Sequence, residues 1–426
     1  MKLSLSLAAI AALLPQALGI SRWDTCGGGG VTTGKCDDGL VCVELSEYYY
    51  QCLKLAPPYS PTSTSTSTST RTTSTTFVVV YEHPELEQLY LDFSINFYKH
   101  LDDDYVQYKF FDVRNIDICL PRCQEVQVLR SSAEFGSAIP GTLNKDYTWP
   151  SPSSVDYFLG KGMNFFRIPF MMERMSPPAT GLTGPFDSAY LSGLKTIVNY
   201  ITSKGGYAAL DPHNYARYNG SVITDVSLFK TWWKNMATEF LTNDHVIFDL
   251  NNEPWGIPAT DAAALMQAGL DGVRAAGATQ SVFVQGTSWT GAWSWESSGN
   301  GDAFKTISDP LNNVVIEMHQ YLDTDGSGTN STCVSPTVGA ERLQVATNWL
   351  KANNKKGFIG ELGAGSNNDC ISAIRGALCL MQTSDVWIGF AWWAAGPWWG
   401  NYYQSIEPPS GPAIARILPE ALLPFA

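Results

Sequence analysis

From about residue 133 to the C-terminus, short apolar runs alternate with longer amphipathic stretches. The runs 165–170, 207–210, 246–250, 282–284, 314–318, 358–360 and 388–392 are rich in Val, Ile, Phe, Tyr and Trp. Continuous apolar runs of this length suit strands buried on both faces, and helix-like segments between them predict a parallel sheet with crossover helices. The fold class is therefore α/β, and seven of the eight strands of a (β/α)8 TIM barrel can be placed.

Nearly every run ends in a polar or aromatic signature. Residues 246–250 lead into Asn251-Asn252-Glu253-Pro254, where Pro254 stops the ladder because it has no N–H to donate. On its own Glu253 fits a surface loop as well as a catalytic site. A second glutamate changes the reading: the apolar run 357–360 ends in Glu361 and a Gly363-Ala364-Gly365 turn. Barrel enzymes keep their chemistry where strands end, and paired carboxylates are what glycosidic cleavage needs. The other runs end in Arg167, Asp211-Pro212-His213-Asn214, Gly286-Thr287-Ser288-Trp289, Met318-His319-Gln320-Tyr321 and Trp392-Trp393. Trp289, Trp293, Trp295, Trp398 and Trp399 crowd the same loops, each suited either to packing or to lining a cleft.

The preceding chain has a different texture. Lys2, the apolar run 3–14 and Ala17-Leu18-Gly19 have the form of a secretory signal peptide over residues 1–19, too short to span a bilayer. A secreted product with oxidised cysteines is expected. Cys26, Cys36, Cys42 and Cys52 lie in a small glycine-rich stretch, residues 20–54, that needs two disulfides to hold itself together; zinc is disfavoured because paired C-x-x-C knuckles are missing. Residues 55–76, with Pro57-Pro58 and alternating Ser and Thr, form a linker of the O-glycosylated kind. The 426-residue chain carries a net charge of -13, which argues against nucleic acid or an anionic membrane as partner and is compatible with a neutral polysaccharide. A monomer is expected.

Two resemblances sharpen this picture. Residues 23–52 resemble the fungal-type family 1 carbohydrate-binding module, with Trp23, Tyr48 and Tyr49 in the places of its planar cellulose-binding face. The resemblance implies disulfides Cys26–Cys42 and Cys36–Cys52, although the Cys26–Cys36 spacing is short and Ser46 stands where that family has Asn. From about Ala133 the chain resembles glycoside hydrolase family 5, in particular fungal endo-β-1,4-glucanases, on the strings Ala133-Glu134-Phe135-Gly136, Asp211-Pro212-His213-Asn214-Tyr215 and Trp392-Trp393-Ala394-Ala395-Gly396. That resemblance implies Glu253 as general acid and base and Glu361 as nucleophile, in a double displacement that retains anomeric configuration. It also implies Asn252 on the sugar 2-OH, Arg167 and Tyr321 holding Glu361 ionised and oriented, His213 and His319 in the active site, and Trp393 beneath a bound sugar. Arg167 should lower the Glu361 pKa, while an acid such as Glu253 needs a raised one. No metal or organic cofactor is implied. Cys333 and Cys370 match a family disulfide between the loops after the sixth and seventh strands, and Cys379 has no assigned partner. Asn219-Gly220-Ser221 and Asn330-Ser331-Thr332 are N-glycosylation sequons.

Residues 77–132 depart from the family, which opens its barrel with an aromatic-Gly-x-Asn strand. Residues 126–129 are the only strand candidate next to Ala133. The abrupt change of composition favours a mistranslated insertion over a substitute strand. Three functions follow: an endo-β-1,4-glucanase foremost, another family 5 activity such as a β-mannanase, or a catalytically impaired cellulose-binding protein.

Overall fold

The computed structural model describes residues 138–426 in full and, before them, the backbone of five strands. The signal segment, the side chains of Trp23, Tyr48, Tyr49, Cys26, Cys36, Cys42 and Cys52, most of the linker, and residues 126–129 and 133–136 lie outside the described residues. The chain divides into two compact units, Met1–Phe110 and Phe111–Ala426.

In the first unit, β1 (Thr25–Gly27), β2 (Val41–Ser46) and β3 (Tyr49–Leu53) form an antiparallel sheet in the order β1-β3-β2. Positions 42 and 52 face each other across β2 and β3. A separate antiparallel hairpin pairs β4 (Thr75–His83) with β5 (Leu86–Ile95). This hairpin was not anticipated. Its signal is the β-branched and aromatic run Phe77-Val78-Val79-Val80-Tyr81 ahead of Pro84-Glu85.

The second unit contains all seven expected barrel strands. In chain order its elements are α1 (Pro152–Leu159), β6 (Phe165–Phe170), α2 (Met172–Met175), α3 (Ser188–Ser203), β7 (Tyr207–Pro212), the ribbon β8 (Arg217–Tyr218) and β9 (Ser221–Val222), and α4 (Val226–Thr238). Then follow β10 (Val246–Asp249), α5 (Ala259–Ala275), β11 (Val282–Gln285), α6 (Asn300–Ala303), β12 (Val314–Tyr321), α7 (Val338–Ala352), β13 (Gly357–Gly363), α8 (Asn368–Ser384) and β14 (Trp387–Trp392). Helices α3, α4 and α8 start where side chains take up free N–H groups: Asp187, Asp225 and Asn367 accept from the backbone of Tyr190, Ser227 and Cys370.

The sheet order is β6-β7-β10-β11-β12-β13-β14, every pair parallel, and β14 comes back into contact with β6, so the sheet curls towards closure. An eighth strand is not among the described residues. Outward side chains such as Ile168, Leu210, Phe248 and Met318 pack in the large core, together with apolar residues of the surrounding helices. Inward, Phe165, Ala209, Ile247, Phe283, Val315, Phe358 and Ala391 form one apolar layer with a residue from each strand. The rings of Phe165, Phe283 and Phe358 meet at 4.7 to 6.1 Å. Each such ring contributes about 1.5–3 kcal/mol through burial.

Cys333 and Cys370 form the expected disulfide, Cα atoms 5.3 Å apart. Cys370 lies in the first turn of α8 rather than in a loop, so the bridge ties the loop after β12 to a helix. Cys379 is half-buried on the same helix. Asn219 and Gly220, both with positive φ, make the tight turn of the β8–β9 ribbon, and Asn219 and Asn330 are exposed, as sequons require.

Candidate active site

Two residues beyond the apolar layer, the same inward positions carry Arg167, Asp211, Asp249, Gln285, Glu317, Gly360 and Trp393. Period-two alternation points them into the barrel. Arg167 is the hub. Its Nε lies 2.6 Å from Asp249 Oδ2 and 3.2 Å from Glu317 Oε1, its Nη2 3.1 Å from Asp211 Oδ1 and 2.8 Å from Asn252 Oδ1, and its Nη1 2.8 Å from Glu361 Oε1. Burial opposes its charge, but the four carboxyl groups hold it protonated. The carboxyl groups are not equivalent. Burial works to raise Asp211, yet Arg167 and His213 bring it below its ordinary range. Burial and neighbouring Asp249 drive Glu317 well above that range, and burial raises Asp249 too.

Glu361 reaches this layer through a β-bulge. Along β12 and β13 the register runs Met318 with Ile359 and then His319 with Glu361, so Gly360 is the extra residue. A bulge re-aims the following side chain, here from the outward face to the barrel mouth. Glycine is required because a Cβ at position 360 would stand 1.7 Å from Glu317 Oε1. The expectation of a glutamate at a strand end is corrected here, since Glu361 lies within β13, which runs on to Gly363. Its Oε1 accepts from Arg167, and its Oε2 accepts from Tyr321 Oη at 2.6 Å. Arg167 and Tyr321 thus each hold one oxygen of Glu361, which is compatible with the orienting roles expected of them. The pKa expectation does not: Arg167 and His319 pull the Glu361 carboxyl down, but burial is the larger influence and the group ends above its ordinary value.

Glu253 arrives differently, on the loop four residues past β10. Its φ of 44° is unusual for a side chain larger than glycine and costs about 1 kcal/mol or more. Two bonds hold that conformation: Glu253 N donates to Gln285 Oε1 at 2.8 Å, and Trp289 N donates to Pro254 O at 3.1 Å. Gln285 also donates to Asp249 Oδ1 at 2.8 Å, which links the loop to the Arg167 layer. The Glu253 carboxyl meets His319 Nδ1 at 2.6 Å. Burial, resisted by His213 and Arg167, raises its pKa to about 7. His319 is itself buried and held neutral, its pKa pushed down to about 4.

His213 Nδ1 bonds Asp211 at 2.9 Å and its Nε2 faces Asn252 Nδ2 at 3.1 Å, so the histidine donates to the aspartate and accepts from the amide. Its ring stacks on Trp393 at 5.6 Å. Trp393 is half-buried and packs edge-on against Trp399. All eight residues expected of the site therefore surround one mouth. Sequence reading assigned no role to Gln285, Glu317 or Asp249. The signal was available as the i, i+2 pairs Phe165/Arg167, Ile247/Asp249, Phe283/Gln285 and Val315/Glu317. Of the loop tryptophans, Trp295 is core, packed against Phe304 and Trp349, whereas Trp289, Trp293 and Trp398 are exposed. Trp289 stacks on Trp255, next to Glu253, at 5.9 Å.

Glu253, His319 and Glu361 bring donor atoms within 4.8 Å of one another, close enough to consider a cation. The short His319–Glu253 hydrogen bond and the two donors on Glu361 already account for that arrangement as an acid–base set.

The comparisons agree with the geometry. Residues 129–396 match the family described as Cellulase (glycosyl hydrolase family 5). The chain is 52% identical over 289 residues to endo-beta-1,4-glucanase B of Aspergillus niger, covering 68% of this chain and 86% of that one. It is 48% identical to endoglucanase gh5-1 of Neurospora crassa over 287 residues, 67% of this chain and 73% of that one. Its fold is similar to XacCel5A, solved in complex with cellopentaose, with a TM-score of 0.67 and 42% identity over 71% of this chain and 99% of that one. The chain belongs to the cellulase family, glycosyl hydrolase family 5.

Proposed function

We propose that this glycoside hydrolase is an endo-β-1,4-glucanase that cleaves cellulose and related β-glucans with retention of configuration. The observation that carries the reading is the approach of the Glu253 and Glu361 carboxyl oxygens to within 4.8 Å. Retaining enzymes hold their carboxyl groups roughly 5–5.5 Å apart, whereas roughly 6.5–9.5 Å is needed to admit an attacking water. Glu361, held by Arg167 and Tyr321, attacks the anomeric carbon while Glu253 protonates the leaving oxygen. Glu253 then takes a proton from water, which displaces Glu361 from the glycosyl-enzyme. Asn252, fixed by Arg167 and His213, is placed to meet the sugar 2-OH, and Trp393 offers its ring as a floor. The Aspergillus niger relative is named for β-1,4-glucan and XacCel5A binds cellopentaose, which favours glucan over mannan. Rates on carboxymethyl cellulose, mannan and β-1,3-glucan compared side by side test that preference. Replacing Glu361 by Ala should abolish turnover, and azide should then restore cleavage of an activated β-glucoside with inverted product; near-normal activity without azide would refute the assignment.

On the same reading the enzyme is secreted and monomeric, and residues 20–54 bind cellulose through Trp23, Tyr48 and Tyr49. Removing residues 1–76 should lower activity on crystalline cellulose and spare activity on soluble glucan, since tethering matters only where substrate is immobile. Residues 77–132, except the last four, which fall within the family match, are an insertion foreign to the active enzyme. Tryptic peptides covering 115–122 in active secreted protein would refute that.

A further inference from the structure

His319 makes one side-chain hydrogen bond, between Nδ1 and Glu253 Oε1, and its other ring nitrogen, Nε2, is buried without one. The nearest carboxyl atom to Nε2 is Glu317 Oε1 at 3.7 Å. Both residues point inward from β12 two positions apart, and Glu317 occupies the space that glycine leaves at position 360. Arg167 Nε lies 3.2 Å from Glu317 Oε1 but donates to Asp249 Oδ2, and Glu317 Oε1, like His319 Nε2, is buried without a hydrogen bond. Glu317 also neighbours Asp249, and a hydrogen bond between two such acids needs one proton between them.

We propose that Glu317 is a positioning residue that fixes the tautomer of His319: its Oε1 accepts from Nε2–H, so that Nδ1 is left as an acceptor for the proton of Glu253. A neutral imidazole carries a single N–H, and the partner of one nitrogen decides the state of the other. With Nδ1 as acceptor, the hydrogen bond favours the protonated form of Glu253, which is the form that can serve as a general acid. If Nδ1 instead carried the proton, the bond would favour the Glu253 carboxylate. The charged and titratable groups around these residues are Arg167 from β6, Asp211 from β7 with His213 and Tyr215 beyond it, Asp249 from β10 with Glu253 beyond it, Tyr321 from β12 and Glu361 from β13. Glu317 touches no substrate. It acts through His319, and the idea rests on the acid–base role proposed for Glu253.

The first test does not depend on activity or on any change at Glu317. Nitrogen-15 NMR of the wild-type enzyme, labelled in histidine and assigned by loss of the His319 signal in H319N, should show His319 neutral with the proton on Nε2. A neutral Nδ1–H tautomer would overturn the proposal and leave the role of Glu253 untouched. The second test uses pH profiles of kcat/KM. Glu317→Gln keeps an acceptor towards His319 and a donor towards Asp249, so its basic limb should coincide with that of wild type. Glu317→Leu keeps the bulk and loses both, and its basic limb should move towards acid by about one pH unit. A folded Leu variant with an unmoved limb, or a Gln variant shifted as far as Leu, would overturn the proposal. Should the Leu variant fail to fold, the tautomer measured in wild type decides alone.

Discussion

The apolar ring of Phe165, Ala209, Ile247, Phe283, Val315, Phe358 and Ala391 and the polar ring that starts at Arg167 are carried by the same seven strands, two residues apart. Apart from half-buried Trp393 both rings are buried, and their chemistry differs. Aromatic and aliphatic side chains fill the lower ring without preferred partners, and dispersion together with the loss of water contact stabilises it. In the upper ring each group must find a specific partner, because an unpaired buried charge costs several kcal/mol. One arginine among Asp211, Asp249, Glu317 and Glu361 therefore fixes directions as well as filling space. Glu361 is oriented as one member of that set. The same strands thus supply an apolar base and, directly above it, a polar layer whose pairing requirements aim the reacting carboxylates.

The widest separation of the two rings should come from Glu361→Gln. It removes the nucleophile and keeps the side-chain volume, so kcat should fall by about 10⁴-fold or more, the scale seen when a covalent step is deleted. Thermal stability should stay the same or rise, since one buried charge has gone. A drop of less than about tenfold, read by initial rates on a soluble glucan, would contradict the assignment.

Arg167→Met comes next. It leaves buried carboxylates without their cation, a loss of about 3–5 kcal/mol when one partner of a buried ion pair is removed. Activity should fall even in the folded fraction, because Glu361 and Asn252 lose the same partner. Phe358→Ala in the lower ring should cost a comparable 3–5 kcal/mol through its cavity. The two variants should differ in rate: the folded Phe358→Ala enzyme should keep its kcat and pH profile. Denaturant unfolding and rates normalised to folded protein make the comparison, and a Phe358→Ala enzyme as impaired per folded molecule as Arg167→Met would show that the rings are not separable.

The strands were legible because buried parallel strands are written as continuous apolar runs, and all seven are present. The two glutamates were legible because polar residues follow those runs abruptly. Less legible was how Glu361 reaches the mouth. Counting by twos from Phe358 gives Gly360 and then Leu362 inside, and only the register of β12 against β13 reveals the bulge that places Glu361 there instead. Likewise the pKa of Glu361 could not follow from Arg167 alone, because the burial that outweighs the arginine is a property of the assembled sheet. The β4–β5 hairpin is less legible because it pairs locally, outside the periodic pattern of the barrel strands.

That bulge supplies a smaller perturbation. Gly360→Ala adds one methyl group where Glu317 Oε1 now lies, and the carboxyl group must move away from both Arg167 and His319. Overpacking of this kind costs about 1–3 kcal/mol. The glycine has no positive φ to preserve, so the cost should come from the clash alone. Combining Gly360→Ala with Glu317→Ala should therefore recover part of the stability lost by Gly360→Ala on its own. Strictly additive losses in the double variant, measured by denaturant unfolding, would mean that the two positions do not share the space.

The mildest test leaves the sequence of the working enzyme alone and varies pH. Glu253 is raised to about 7, chiefly by burial, and as the proposed general acid it must be protonated. The basic limb of kcat/KM should therefore fall about tenfold per pH unit once pH exceeds roughly 7. Stability should follow the same proton. Unfolding returns the carboxyl to its ordinary value of 4.5, so between 4.5 and about 7 the folded chain holds a proton that the unfolded chain has released. The stabilising contribution of the neutral group is complete below the unfolded value and is lost as pH rises through the folded one. Glu253→Gln cannot titrate. Relative to it, wild type should lose stability steadily across that window and level off above about pH 7, read as the difference in denaturant unfolding free energy. A difference that stays flat across the window, together with a basic limb near the ordinary carboxylate range, would show that Glu253 is ionised in the free enzyme and cannot be its acid.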